Sequence, residues 1–136
     1  MKIYIASSWS NQHAVEMLTA ILRTNGHKVV SFVEKAVSAE GRDLKFDIEE
    51  WIASDEGGEK FDFDLDGATK SDLVVYIGPS GTDAWAEVGA AYASGVPILG
   101  LWAKGEKAGL MRRLVKWYQS FDELVMAINH CGEVAT

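Results

Sequence analysis

The sequence predicts an α/β protein, a doubly wound parallel sheet of four to five strands held between two helical layers. Three observations predict it. Short runs rich in β-branched and aromatic residues recur along the chain, at 2–6, 28–33, 72–77 and 96–102. Segments with apolar residues at helical spacing lie between them. The first strand, helix and second strand fit within the first 33 residues, which is a βαβ unit. Such a unit implies parallel pairing with a right-handed crossover.

Each element has its own signal. Residues 2–6 (KIYIA) form a short apolar run that ends at Ser7 and Ser8. From 11 to 24, Ala14, Val15, Leu18, Ile21 and Leu22 share one helix face, and Asn25-Gly26 stops that helix. KVVSFV at 28–33 is the second strand. Residues 46–53 predict a helix with Trp51 and one of Ile48 or Ile52 facing inward. The stretch SDEGGEK at 54–60 predicts a loop, because a Gly pair breaks helices. A further helix is expected at 61–70. DLVVYI at 72–77 is the clearest buried strand. A helix at 82–94 is closed by Gly95, and a fourth strand follows at 96–102. Residues 109–115 read as helical and 115–118 as a short fifth strand. Ser120-Phe121-Asp122-Glu123 is a capping box for a last helix reaching about His130.

This alternation matches flavodoxin-like and Rossmann-like sheets. Ligands in such sheets bind beyond the carboxyl ends of the strands, where the strand order reverses. That rule brings residues 6–11 beside 78–82. The length suits one domain over 1–136.

Composition removes several classes. A net charge of -7 argues against a nucleic-acid polymer as partner. Twelve of the 20 acids lie from Glu34 to Asp66, against four basic residues, which reads as a solvated acidic segment. The lone Cys131 excludes an internal disulfide. The apolar part of the N-terminus is too short for a signal peptide or a membrane span, so a cytoplasmic protein without a membrane partner is expected. Neither a P-loop nor a Gly-x-Gly-x-x-Gly after the first strand is present. His13, His27 and His130 lack metal spacing, and the latter two sit where structural histidines sit, after a helix-stopping glycine and at a helix end. Ser80 is not in a Gly-x-Ser-x-Gly elbow.

One carboxylate stands out. IGPSGTDAWAEVGAA, at 77–91, reads as a strand end, a loop and a helix of small residues carrying Glu87. Ala84, Gly89, Ala90, Ala91 and Ala93 are expected on its buried face. Glu87 shares a face with Asp83, Ala90 and Ala91. Lying near the helix start, at the expected crevice, it is predicted to be ionised. A positioned carboxylate of this kind is a nucleophile suited to a sugar carbon. That chemistry needs a second group at the leaving base, and Asp62, Asp64 and Asp66 are equally placed for it by pattern. Trp9, just past the first strand, suits either stacking on a planar base or packing into the core.

Taken together these positions resemble the nucleoside 2-deoxyribosyltransferase family. Ile3 to Trp9 is similar to the family's opening strand and loop. Asp64-Leu65, ahead of Asp72, is similar to its Asp-Leu motif. Pro79, Gly81, Ala84, Glu87, Gly89, Ala91, Gly95 and Pro97 match its glutamate helix. The resemblance spans residues 3–102. It implies that Glu87 attacks the anomeric carbon and that Tyr4 orients it. It implies that Asp64 manages protons on the base, which lies against Ser7, Ser8 and Trp9. It also implies a homo-oligomer, a nucleoside or nucleotide substrate with a free nucleobase, and no metal or organic cofactor.

The chain departs from the pattern in the loop before Glu87. The transferases place an aspartate there for the sugar 5'-hydroxyl, where this chain has Ser80-Gly81-Thr82-Asp83, with Asp83 nearer Glu87. Related hydrolases of deoxynucleoside 5'-monophosphates place a serine after a proline to hold phosphate. Pro79-Ser80 is similar, and amides at a helix start suit an anion. The first loop has Ser10 where an arginine would serve. The reading is therefore a glycosyl transferase, with a monophosphate hydrolase or a non-catalytic nucleotide-sensing module on the same fold as alternatives. An electron carrier would require bound flavin.

Overall fold

The computed structural model describes residues 1–35 and 47–135. The start of the expected second helix at Phe46, and part of the acidic segment, lie outside the described residues. Among the described residues five strands form one parallel sheet: β1 (Lys2–Ala6), β2 (Lys28–Ser31), β3 (Leu73–Ile77), β4 (Ile98–Leu101) and β5 (Lys116–Tyr118). Their order is β2-β1-β3-β4-β5, the flavodoxin-like order. Register pairs Tyr4 with Val74 and Ala6 with Tyr76. The helices are α1 (Gln12–Thr24), α2 (Ile48–Ala53), α3 (Asp55–Lys70), α4 (Thr82–Ala93) and α5 (Phe121–Ala135).

Strand alternation divides the core into two layers. Ile3, Ile5, Leu73, Val75 and Ile77 face α1 and α5, meeting Val15, Leu18, Leu22, Leu124 and Ile128. Tyr4, Ala6, Val74 and Tyr76 face the other way, toward Ala68 on α3 and Ala84, Val88 and Ala91 on α4. β3, central in the sheet, is buried at every position. The second layer uses small residues, so α3 and α4 approach the sheet closely. At Gly67 an added Cβ would lie 2.3 Å from the ring of Tyr4.

Four expectations need correction. Residues 55–60 are the first turns of α3, not a loop. The Ser54 hydroxyl accepts from the Gly57 amide at 3.0 Å, capping the helix, and Asp55 and Glu56 suit its N-terminus. Gly57 is there for space, since its Cβ would meet the Trp51 carbonyl oxygen at 2.0 Å. In α2, Ile48 and Ile52 both point outward and only Trp51 is partly covered. Residues 110–114 form a 3-10 turn rather than an α-helix. The last helix runs on past His130 to Ala135, so that histidine is not at its end. The capping serine is as expected: the Ser120 hydroxyl accepts from the Glu123 amide at 3.3 Å.

Candidate active site

Strand order reverses between β1 and β3, and the loops leaving those strands diverge there. Short hydrogen bonds tie the two loops. The Ser7 hydroxyl donates to the Ile77 carbonyl at 2.7 Å, and the Asn11 amide donates to the Pro79 carbonyl at 2.8 Å and to Ser7 Oγ at 3.1 Å. Beyond them opens a cleft of about 300 Å³. Ser7, Ser8, Trp9, Asp64, Gly81, Asp83 and Glu87 line it, joined by Phe32, Thr82 and Ala84.

Glu87 enters this cleft from α4. Tyr4, fully buried in β1, donates its phenol proton to Glu87 Oε1 at 2.7 Å. The fold brings these residues together although 83 positions separate them. Burial pushes the Glu87 carboxyl up to about 8, while the Tyr4 hydrogen bond pulls it down. The charge of Asp64 raises it, that of Lys60 lowers it, and that of Asp83 raises it. The expectation that the site favours the ionised form is therefore not met: burial shifts the group toward its neutral form. Helix α4 starts at Thr82, so Glu87 is its sixth residue, beyond the free amides of the first turn. Desolvation and two neighbouring acids outweigh what remains of the dipole.

The small residues of α4 divide differently from expectation. Ala84, Val88 and Ala91 are buried. Gly89 and Ala90 are only partly covered, and Ala93 is exposed. Glu87 thus lies at the border between core and cleft, not within a continuous small-residue wall.

The structure separates the three equivalent aspartates of α3. Asp62 and Asp66 are exposed, whereas Asp64 lines the cleft and binds Lys60 Nζ through Oδ1 at 2.7 Å. Lys60 is only 3% exposed, with its ammonium 5.3 Å from the Phe32 ring centre and 5.6 Å from that of Phe63. Trp9 packs into the core, as one of its two expected roles requires, edge-on against Phe32 at 5.4 Å, and its other side is open to the cleft.

Ser80 is not brought to the cleft. Its hydroxyl lies 2.7 Å from Tyr76 Oη, in a second polar cluster under the next pair of strands. There Tyr76 donates to Glu106 Oε2, Trp85 Nε1 donates to Glu106 Oε1 at 2.9 Å, and Arg112 donates to the Glu106 carbonyl. Burial and the carboxylate push the Tyr76 phenol well above its usual range. Gly81 leaves the α4 N-terminus without a side-chain cap.

Sequence reasoning missed Lys60, Phe32, Gly67 and Glu106. Lys60 had a signal, four residues before Asp64 on one helix face, but the Gly pair beside it concealed the helix. Among the described residues no cluster of three metal-ligating side chains occurs, and no helix is long and apolar enough to cross a membrane.

No protein-family model matches the sequence, and no curated protein matches it significantly. Solved structures do match. A 2-deoxyribosyltransferase from Bacillus psychrosaccharolyticus superposes with a TM-score of 0.70 at 23% identity, covering 91% of this chain and 90% of that one. The CMP N-glycosidase BcmB of Clostridium botulinum gives 0.61 at 18% identity, over 95% and 99% of the two chains. A conserved protein from Enterococcus faecalis V583 gives 0.68 at 17%, over 96% and 98%. At these identities the likeness is one of fold: the chain shares the parallel, helix-flanked sheet of these proteins along nearly its whole length.

Proposed function

We propose that the protein cleaves the N-glycosidic bond of a (deoxy)nucleoside and transfers the deoxyribosyl group to another nucleobase, through a sugar ester of Glu87. The observation that carries this reading is the Tyr4–Glu87 pair at the floor of an open cleft, with Asp64 lining the same cleft. Two proteins sharing the fold support it, one named as a 2-deoxyribosyltransferase and the other as a CMP N-glycosidase.

The chemistry balances with the groups at hand. Tyr4 fixes Oε1, and Oε2 carries no hydrogen bond among the described residues. A Glu87 oxygen bonds to the anomeric carbon as the bond to the base breaks. The bonding pair passes to the base nitrogen, which also gains a proton. Carboxylic acid plus nucleoside gives sugar ester plus free base, so the proton Glu87 holds at rest is the one the base requires. Asp64 carries it across. In the second half a nitrogen of the incoming base attacks the ester, its proton returns to the acid pair, and Glu87 is regenerated. Trp9 and Phe32 supply an apolar wall for the flat base.

Water in place of the second base makes the protein a hydrolase. The uncapped start of α4 favours binding a 5'-phosphate. Asp83 in the cleft and the engagement of Ser80 with Tyr76 oppose it.

The test is chromatography of the purified protein with a panel of deoxynucleosides, their 5'-monophosphates and free bases. Exchange of base that disappears in Glu87→Ala supports the transferase. Release of base without exchange identifies the hydrolase. Absence of turnover in the parent protein, or equal turnover in Glu87→Ala, overturns the nucleophile assignment, and saturable nucleotide binding without product leaves a sensing module.

A further inference from the structure

We propose that Lys60 is a positioning residue of this cleft: its buried ammonium holds Asp64 as a carboxylate beside Glu87, so that the acid pair carries one proton rather than two. The inference rests on the proposed role of Glu87 and Asp64, and gives that site its charge balance.

Three observations support it. Lys60 is almost wholly covered, yet its Nζ ends on Asp64 Oδ1 at 2.7 Å. A buried ammonium is stable only with such a partner. The faces of Phe32 and Phe63 flank the ammonium and keep the side chain from swinging away. Asp64 is the acid of α3 that reaches the cleft, and the (i, i+4) spacing on α3 sets the geometry of the pair.

The pair's surroundings show why a cation is needed. Among the described residues, Asp64 on α3 and Asp83 and Glu87 on α4 bring three carboxyls to one cleft. Tyr4 on β1 contributes a neutral donor. Lys35, on the turn after β2, lies 6.0 Å from the far ring, Phe63. Without Lys60, like charges would force a second proton onto the acids. A fully protonated pair has no base to take the proton from Glu87 and hand it to the leaving group.

The experiment is a carboxyl NMR titration of Asp64 and Glu87 in protein labelled with 13C-aspartate and 13C-glutamate, the two signals being assigned by their loss in Asp64→Asn and Glu87→Gln. Lys60→Met raises the Asp64 midpoint by about one pH unit or more, the effect of removing a close opposite charge. Asp64→Asn lowers the Glu87 midpoint, and adding Lys60→Met to Asp64→Asn moves it less than Lys60→Met alone does. Should Lys60→Met fail to fold, Lys60→Gln, which keeps a donor beside Asp64 without the charge, supplies the comparison. A folded Lys60 variant with the parent's Asp64 midpoint, or one whose effect on Glu87 is the same with and without Asp64, overturns the inference. The titration needs no turnover, so lack of base exchange would sink the proposed reaction without touching this result.

Discussion

The same pair of side chains occurs twice on one face of the sheet, and the two copies sit in opposite surroundings. Tyr4 on β1 binds Glu87, and Tyr76 on the adjacent β3 binds Glu106. Both tyrosines are fully buried. Glu106 is enclosed: Trp85 donates to its other oxygen, Trp85 and Trp117 pack on Tyr76, and Arg112 lies over the Trp102 ring. Glu87 has a single hydrogen-bond partner among the described residues, and it faces the cleft beside other acids. A carboxylate with all its partners is a structural tie. One held at a single oxygen, in a site that resists its charge, fits the reactive role proposed for it.

The largest expected effect separates the two glutamates. Glu87→Gln should reduce base exchange by ~10³-fold or more, as loss of a nucleophile does. Glu106→Gln should retain most exchange and lose about 1–3 kcal/mol of stability, the cost of weakening buried charged hydrogen bonds. Steady-state assays and thermal unfolding of both variants check this. A Glu106 variant as inactive as the Glu87 variant would break the comparison.

The next effect is in pH. In the proposed reaction the base leaves with the proton that Glu87 holds, so exchange should fall as pH rises through about 8. Stability follows the same group. Its carboxyl is raised from 4.5 to about 8 on folding, so the folded state holds more protons between those values. Folding stability from this group is therefore fully present below 4.5 and is lost as pH rises toward 8. Glu87→Gln should match the parent's stability at acid pH and exceed it by on the order of 1–3 kcal/mol at alkaline pH. Equal unfolding curves at both ends would deny that the site strains the carboxylate.

The tyrosines sharpen the contrast further. Tyr4→Phe removes the bond that favours the ionised carboxyl and fixes Oε1, so the Glu87 midpoint should rise, and the lost orientation should lower exchange by ~10–100-fold. Tyr76→Phe should act on stability, by about 1–3 kcal/mol, because it leaves buried acceptors unpaired. The smallest effects concern glycines. Gly67→Ala forces a methyl into the Tyr4 ring and should cost about 1–3 kcal/mol. Gly89→Ala meets nothing within 4 Å and should stabilise α4 by about 0.5–1 kcal/mol.

Much of this was legible in the sequence, for local reasons. The buried strands announce themselves as apolar runs, and parallel order follows from the βαβ connection, so the crevice at β1 and β3 could be placed without coordinates. The resemblance named Tyr4 and Asp64 beside Glu87; Asp64 and Glu87 line the cleft, and Tyr4 is buried behind them on Glu87. Other features depend on distant packing. The Gly57-Gly58 pair reads as a breaker, yet Ser54 caps a helix that runs through it, and Gly57 makes room there for the Trp51 carbonyl. The charge state of Glu87 depends on burial and on acids of another helix, which no local window contains. Glu106 lies in an unremarkable loop, and only the fold brings it under Tyr76.

The most direct test of the account is intact-mass and peptide-mapping mass spectrometry of the protein quenched during turnover of a deoxynucleoside. A single added deoxyribosyl group is expected on the peptide bearing Glu87, absent from Glu87→Gln and present in Glu106→Gln. Turnover with the sugar attached elsewhere, or with no covalent adduct under conditions that trap it, would contradict the assignment of Glu87 as the reactive carboxyl.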